Sequence, residues 1–365
     1  MSKILILANH YNSLRIFRRE LIIRLVNMGN DVIIAIPPAE DEEIIQLESY
    51  GAKIIFTDCD RRGMNPIKDL FLLRRYKKLI DDIKPDKVLT YTIKPNIYGS
   101  IACKKNHVQN YCNITGLGSS FMSDNNFIRK IVSIMYKYSL NTAEIVFFEN
   151  SGNRDILVNE GIVRPEQAVV LPGAGVNLSE FSFSEYPEDN GAVHFLYVGR
   201  IMKEKGVDEL FYAIQRIKQE YPDTTFEFIG WYEGNYKEIV EKMQNENLIK
   251  YYGFQRDVIP YIRNSHCIVY PSYHEGMANT LLESCSIGRP IITSNVHGCM
   301  EAVVDGKNGY LVQVRDKESL YEKIKTFIEL PCEKKKEMGL CARKHVEKYF
   351  DKNDVVDKTI EKVFL

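Results

Sequence analysis

The chain has 365 residues, 45% of them hydrophobic and 27% charged, with a formal net charge of −1. That length exceeds one ordinary core and fits two domains of about 150–200 residues each. The near-neutral balance, without long runs of one sign, excludes a global pull toward nucleic acid, so an anionic partner has to be met locally.

The first residues, MSKILILANHYN, enter an apolar strand at once, without the basic, apolar and small-residue order of a signal peptide. No stretch of 18 apolar residues occurs. The expectation is a cytoplasmic protein. Apolar runs then alternate with helical patterns: KILILA, DVIIAI, AKIIFT, DKVLTY, QNYCNI, EIVFFE and AVVLP. This rhythm predicts a parallel sheet with crossover helices. After a stretch rich in Gly, Pro, Ser and acids, VHFLYVG restarts it, and TFEFIG, IKYYG, CIVYPS, RPIITS and GYLVQV follow. The fold class is therefore α/β, with two facing doubly wound Rossmann-like domains. The expected divisions are 1–178, a linker at 179–192, a second domain at 193–349 and a terminal helix at 350–365. In that helix Val355, Val356, Ile360 and Val363 share one face, which has to pack on something, and the first domain is the expected place.

The eight cysteines show no Cys-x-x-Cys pair and no metal-ligand spacing, and read as buried reduced thiols. The literal Asp-x-Asp at Asp58–Asp60 lies in the first domain, far in sequence from the groups below, and no metal site is expected.

Open α/β sheets bind ligands beyond the carboxyl ends of their strands, so chemistry belongs in the turns that follow strands. After HFLYVG, Arg200 offers a planar fork and Lys205 a mobile point charge, a pair suited to a diphosphate. Taken alone they also fit an ordinary solvated loop. After CIVYPS comes YHEGMANTLLE. There Ser272, Gly276, Asn279 and Thr280 are residues that start helices, and the free N–H groups of such a start suit phosphate without a basic residue. Glu275 precedes that helix. Glu283 lies one turn inside it, on the face of Asn279, so the two carboxylates can reach different parts of an elongated ligand.

The ordered set YVGR, KEKG and HEGMANTLLE resembles the retaining family-four glycosyltransferases of the GT-B fold, whose signature is Glu, seven residues, Glu. The resemblance implies a donor-side set. Arg200 and Lys205 bind the donor diphosphate, Glu275 the transferred sugar and Glu283 the ribose. Asn279 and Thr280 supply phosphate donors, with Gly199, Gly276 and Met277 beside them. It assigns the base to Gly253, Phe254 and Arg256 in YYGFQRDV, and it implies that the terminal helix crosses back to the first domain. Glu275, Arg200 and Lys205 carry the catalytic roles.

In the first domain Ser13 is the expected N-cap of a helix carrying Arg15, Arg18 and Arg19. In RRGMNPIKDLFLLRRYKKLI, Leu72, Tyr76, Leu79, Ile80 and Ile83 form one apolar stripe. This reads either as a surface for anionic lipid or as a core-facing stripe with solvated cations opposite. The turns YTIKPNIYGS and NITGLGSSF resemble those of bacterial members that extend undecaprenyl-diphosphate-linked saccharides. On the acceptor side they offer Lys94, Asn96, Gly116 and Gly118, with Ser13 and Arg15. The Gly-Gly turn and histidine of many members are absent, which leaves His10 as a weak substitute. The implied donor is a nucleotide sugar, most simply UDP-linked, used without a cofactor. The implied partners are a lipid-linked saccharide and the anionic inner membrane surface, with no nucleic acid. A sugar-nucleotide epimerase and a non-catalytic sugar-nucleotide-binding protein are the alternatives.

Overall fold

The computed structural model describes residues 1–59, 65–118, 121, 126–188 and 191–364. Its elements run β1 (Lys3–Leu7), α1 (Tyr11–Phe17), α2 (Arg19–Asn27), β2 (Asp31–Ile36), α3 (Asp41–Glu48), β3 (Lys53–Phe56), α4 (Pro66–Ile83), β4 (Lys87–Tyr91), α5 (Ser100–Asn106), β5 (Gln109–Ile114), α6 (Asn126–Leu140), β6 (Ile145–Phe148), α7 (Ser151–Asn159) and β7 (Ala168–Val170). They continue with β8 (His194–Val198), α8 (Val207–Glu220), β9 (Thr225–Ile229), α9 (Tyr236–Asn245), β10 (Lys250–Tyr251), α10 (Ile259–Asn264), β11 (Cys267–Tyr270), α11 (Asn279–Ile287), β12 (Ile291–Ser294), β13 (Gly309–Val312), α12 (Lys317–Glu329), α13 (Cys332–Tyr349) and α14 (Lys352–Phe364).

Two parallel sheets result, ordered β3-β2-β1-β4-β5-β6-β7 and β10-β9-β8-β11-β12-β13. The chain divides into two compact units, one of Met1–Ala174 with Asn353–Leu365 and the other of Gly175–Lys352.

In the first unit the sheet is covered on both faces, and strand alternation distributes β1 between two cores. Leu5 and Leu7 join Leu72, Tyr76, Ala102 and Tyr136 under α4, α5 and α6. Ile4 and Ile6 join Leu14, Leu21, Leu25, Val355 and Val363 under α1, α2 and α14. The terminal helix thus belongs to the first unit from Asn353 onward, as its apolar face requires, and Tyr111 Oη donates to Val363 O at 3.0 Å.

Two expectations in this unit change, and one open reading is decided. Ser13 is not a cap: α1 starts at Tyr11, His10 Nδ1 accepts from Asn12 N at 3.1 Å, and Ser13 Oγ donates back to His10 O. Arg18 is not carried by the helix that starts at Tyr11, which ends at Phe17. It sits between α1 and α2, buried in an ion pair with Glu149 (2.8 Å) and over the Tyr91 ring. The α4 stripe is core: Leu72, Tyr76 and Ile80 are buried, and Leu79 and Ile83 pack against the same cluster. Asp60, which completes the Asp-x-Asp match, lies outside the described residues, as do Arg61 and Arg62.

In the second unit, residues 181–185 pack on the domain rather than hanging free. Ser184 N donates to Ile287 O, and the fully buried Arg289 guanidinium donates to the carbonyls of Ser184, Glu185, Ile262 and Arg263. A buried guanidinium surrounded by carbonyls is tolerated because every nitrogen is hydrogen-bonded.

Candidate functional site

The carboxyl ends of β8, β9, β10 and β11 gather the second unit's unusual residues. β8 runs into Gly199 and Arg200. Then a single 3₁₀ turn, Lys203–Lys205, ends at Gly206, whose φ of +69° a side chain would strain. A Cβ there would also stand 2.0 Å from Pro271 O, so glycine lets the 203–206 turn lie against the strand end after β11. Tyr273 N donates to Glu204 O at 2.9 Å and fixes the same two turns together.

That apposition brings Lys205 to Glu275. Lys205 Nζ and Glu275 Oε1 form an ion pair with both side chains largely buried, and Tyr270 Oη donates to the same oxygen at 2.9 Å. Burial alone would push the Glu275 carboxyl up. The Lys205 charge and hydrogen bonds from Lys205, Ser272 and Tyr270 outweigh it and hold the group below the usual carboxylate range. Glu275 is thus a fixed anion. Gly298 closes the other side: with φ at +87°, a Cβ would fall 2.7 Å from the Glu275 backbone oxygen. Gly298 O accepts from Ala278 N at 2.7 Å.

Next comes α11. Its Ala278 N-cap has no side-chain cap and its first turn no acid. Among the described residues the N–H groups of Met277, Asn279 and Thr280 donate to nothing. Three free donors at the positive end of a helix are an anion-binding arrangement. The Asn279 side chain is partly engaged, because Nδ2 donates to Met277 O while Oδ1 is buried without a partner. Of the Asn279 donors, the backbone N–H is therefore the free one.

Glu283, one turn on, contrasts with Glu275. Among the described residues its half-buried carboxyl makes no hydrogen bond or ion pair. Burial, opposed by Lys352 and reinforced by Glu180, pushes it up to about 7. It is a carboxyl with vacant acceptor capacity.

Arg200 pairs with Glu233 at 3.0 Å and remains 38% exposed, while Tyr197 Oη holds its carbonyl at 2.6 Å. Beyond it, the β10 turn exposes Phe254, and Arg256 is exposed beside it. Phe254 lies 5.0 Å from the ring of Trp231, which is itself half exposed. Gly253 (φ +69°) turns the chain there into open space.

Sequence reading missed Trp231, Glu233, Tyr270 and Gly298. The one tryptophan of the chain, directly after the Gly230 that follows β9, was a visible signal. The partnership of Tyr270 or Gly298 with Glu275 was not, because it exists only once separate loops meet.

On the first unit, Lys94 pairs with Asp69 at 2.7 Å, both largely buried, and Tyr98 Oη joins them. Asn96 is 1% exposed, with its amide spent on Thr90 and Asn113 O. It braces the turn and presents nothing outward. Gly118 (φ +77°) admits Ile93, whose Cδ1 lies 2.4 Å from where a Cβ would stand, and Gly116 has φ +139°. Arg15 Nε donates to Asn12 Oδ1. Among the described residues no group of three His, Cys, Asp or Glu could hold a metal, and no helix is long and apolar enough to cross a membrane.

Residues 3–150 match the glycosyl transferase 4-like family and residues 179–345 the glycosyl transferases group 1 family. This chain is a GT-B glycosyltransferase. Among its relatives, the N,N'-diacetylbacillosaminyl-diphospho-undecaprenol alpha-1,3-N-acetylgalactosaminyltransferase of Campylobacter jejuni is 26% identical over 332 residues, 86% of each chain. The UDP-Gal:alpha-D-GlcNAc-diphosphoundecaprenol alpha-1,3-galactosyltransferase of Escherichia coli is 28% identical over 295 residues, 74% of this chain and 73% of the relative. In fold, the glycosyltransferase resembles Anabaena HepE in complex with UDP and glucose, with a TM-score of 0.78, 17% identity and 99% of both chains covered. It also resembles sucrose-phosphate synthase of Thermosynechococcus elongatus, with a TM-score of 0.79, 18% identity, and 99% of this chain and 98% of that one covered.

Proposed function

We propose that this glycosyltransferase moves a sugar, with retention of configuration and without a metal, from a UDP-sugar to a polyprenyl-diphosphate-linked saccharide at the inner membrane face. The observation that carries the donor half is the Lys205–Glu275 pair set beside the uncapped start of α11. An anion and an anion-binding helix end, a few residues apart, match a donor whose sugar carbon develops positive charge as its diphosphate leaves with negative charge.

In this reading the N–H groups of Met277, Asn279 and Thr280 and the charges of Arg200 and Lys205 stabilise the departing diphosphate, a fixed electrostatic contribution. Glu275 positions the transferred sugar. Lys205, shared between Glu275 and the phosphates, keeps that carboxylate ionised and oriented by Tyr270. Glu283 accepts from the ribose hydroxyls. Trp231 and Phe254 offer a face for the base, and Gly253 and Arg256 flank it. Gly175–Lys352 is the donor domain. Relatives named for undecaprenyl-diphosphate acceptors support the acceptor class. Lys94, just past the end of β4, is an acceptor-side candidate whose pairing with Asp69 makes it an orienting group.

The test is a panel of UDP-sugars with synthetic polyprenyl-diphosphate saccharides, with product read by mass and anomeric configuration. The expected result is transfer only with both substrates and retained configuration. Epimerised or hydrolysed donor without acceptor would favour an epimerase or hydrolase. Donor binding without turnover across the panel would favour a sensor.

A further inference from the structure

The outer surface of α4, α5 and α6 combines two features that the fold does not explain. The first is apolar. Ile67 (68% exposed), Leu70 and Phe71 stand on α4, and Ile131, Ile134 (60%) and Tyr138 stand on α6, all large side chains in solvent although the buried faces of both helices are fully supplied. The second is charge. These three helices carry ten Lys and Arg against three Asp and no Glu, in a chain whose net charge is −1. Lys104 lies 5.0 Å from the Tyr138 ring and so joins α5 to α6, while Asn106 Nδ2 donates to Lys77 O and joins α5 to α4. The surface is therefore continuous.

At least half of the ten cations have no acid partner among the described residues, while Arg75 pairs with Asp58 and Arg129 with Glu160. Of the three acids, Asp69 is taken by Lys94. Arg74, Lys78, Lys104, Lys105 and Lys130 have no ion-pair partner among the described residues. Lys77 is held below its usual value first by its contact with Lys105, as expected where like charges crowd without a counterion. Exposed aliphatic groups set among unpaired cations fit the headgroup boundary of an anionic bilayer, where apolar groups enter and cations stay at the surface. Nucleic acid would use the cations but leave Ile67, Ile131 and Ile134 in water. The first turn of α4 follows β3, so Ile67, Leu70 and Phe71 lie toward the strand-end edge of this unit, where Lys94 stands, and Ile131, Ile134 and Tyr138 extend the surface along α6.

We infer that the outer face of α4–α5–α6 docks on an anionic membrane, with Ile67, Leu70, Phe71, Ile131 and Ile134 entering the headgroup boundary. This deepens the proposed use of a lipid-linked acceptor and rests on that reading only for its purpose, since the docking is measured without substrates.

The experiment is co-sedimentation of the full chain with phosphatidylcholine vesicles and with vesicles containing 30% phosphatidylglycerol. The variants are Leu70→Ser/Phe71→Ser, Ile131→Ser/Ile134→Ser and Lys78→Ala/Lys105→Ala, each checked for an unchanged thermal midpoint. Wild type should bind acidic vesicles, lose binding as salt rises and ignore neutral vesicles. Each cation removed should weaken binding about fivefold, and the serine pairs should weaken it at least as much without changing the salt slope. Transfer to a water-soluble short-chain acceptor should survive in all three, while transfer to a long-chain acceptor in vesicles falls. Equal binding of wild type and variants, equal binding to neutral and acidic vesicles, or no binding to either overturns the docking face. Patch-dependent binding alongside no transfer to any acceptor would keep the docking face and sink the acceptor reading instead.

Discussion

Substituting Glu283 by Gln tests whether this carboxyl is kept unsatisfied for a ligand. Its carboxyl titrates at about 7 instead of an ordinary 4.5, first because burial penalises the charge. Since the folded pKa is raised, the unfolded chain releases the proton at lower pH than the folded one. The penalty is therefore absent below about 4.5, grows as pH rises, and is complete above about 7. At roughly 1.4 kcal/mol per pH unit over that interval the ceiling is about 3 kcal/mol, and partial exposure brings the expectation to about 1–2 kcal/mol. Glu283→Gln, of nearly the same shape without the charge, should then be more stable than wild type at pH 8 by that amount and equal to it at pH 4.5. The same change should weaken donor binding, because a neutral amide accepts ribose hydroxyl bonds less strongly than a carboxylate. The loss expected for a charge-assisted bond is about 1.5–3 kcal/mol, or 10- to 150-fold in Kd. Urea unfolding at the two pH values and calorimetric titration with UDP measure both. A stability difference that does not change with pH, or tighter UDP binding in the variant, would refute the reasoning.

Lys205→Ala should lower kcat by about 10²- to 10³-fold, as expected for removing one preorganised charge at a leaving group. It should also move the acidic limb of the pH–rate profile upward, because Glu275 loses the partner that holds its pKa down. A limb that stays in place would detach Lys205 from Glu275. Glu275→Gln should reduce kcat with UDP affinity largely kept, and calorimetry showing lost UDP binding instead would reverse the roles of the two glutamates. Trp231→Ala should raise donor KM by about 10-fold with kcat nearly unchanged, from lost base stacking; an unchanged KM removes the aromatic pair from the base. Gly298→Ala should destabilise the second unit by about 1–3 kcal/mol, through positive φ and the clash with the Glu275 backbone. Thermal unfolding compared with Gly234→Ala, which shares a positive φ (+66°) but whose Cβ meets open space, separates the clash from the backbone strain.

The sequence by itself determined the two sheets, because strand and helix periods are local properties. Every apolar run from KILILA to GYLVQV became a parallel strand. Glu275 before α11 and Glu283 inside it follow from spacing along one segment, so their contrasting positions were legible too. The amphipathic face of α14 demanded a partner, and its period was enough to say so. Tertiary structure decided everything that depends on two distant segments meeting. The α4 stripe could be read as core or as surface. Its burial against Ala102 and Tyr136 makes it core, and leaves the exposed α4 and α6 residues as the lipid-facing candidates. Nothing near Arg18 in sequence marks its partner, Glu149, which lies 131 residues away. Asn96 was a plausible ligand contact until Thr90 and Asn113 claimed its amide. The two glutamates show the same physical reason most sharply. They share one helix start, yet one is a low-pKa anion and the other titrates near neutrality. A carboxyl's pKa is set by the charges and donors packed around it, and Lys205 and Tyr270 reach only Glu275.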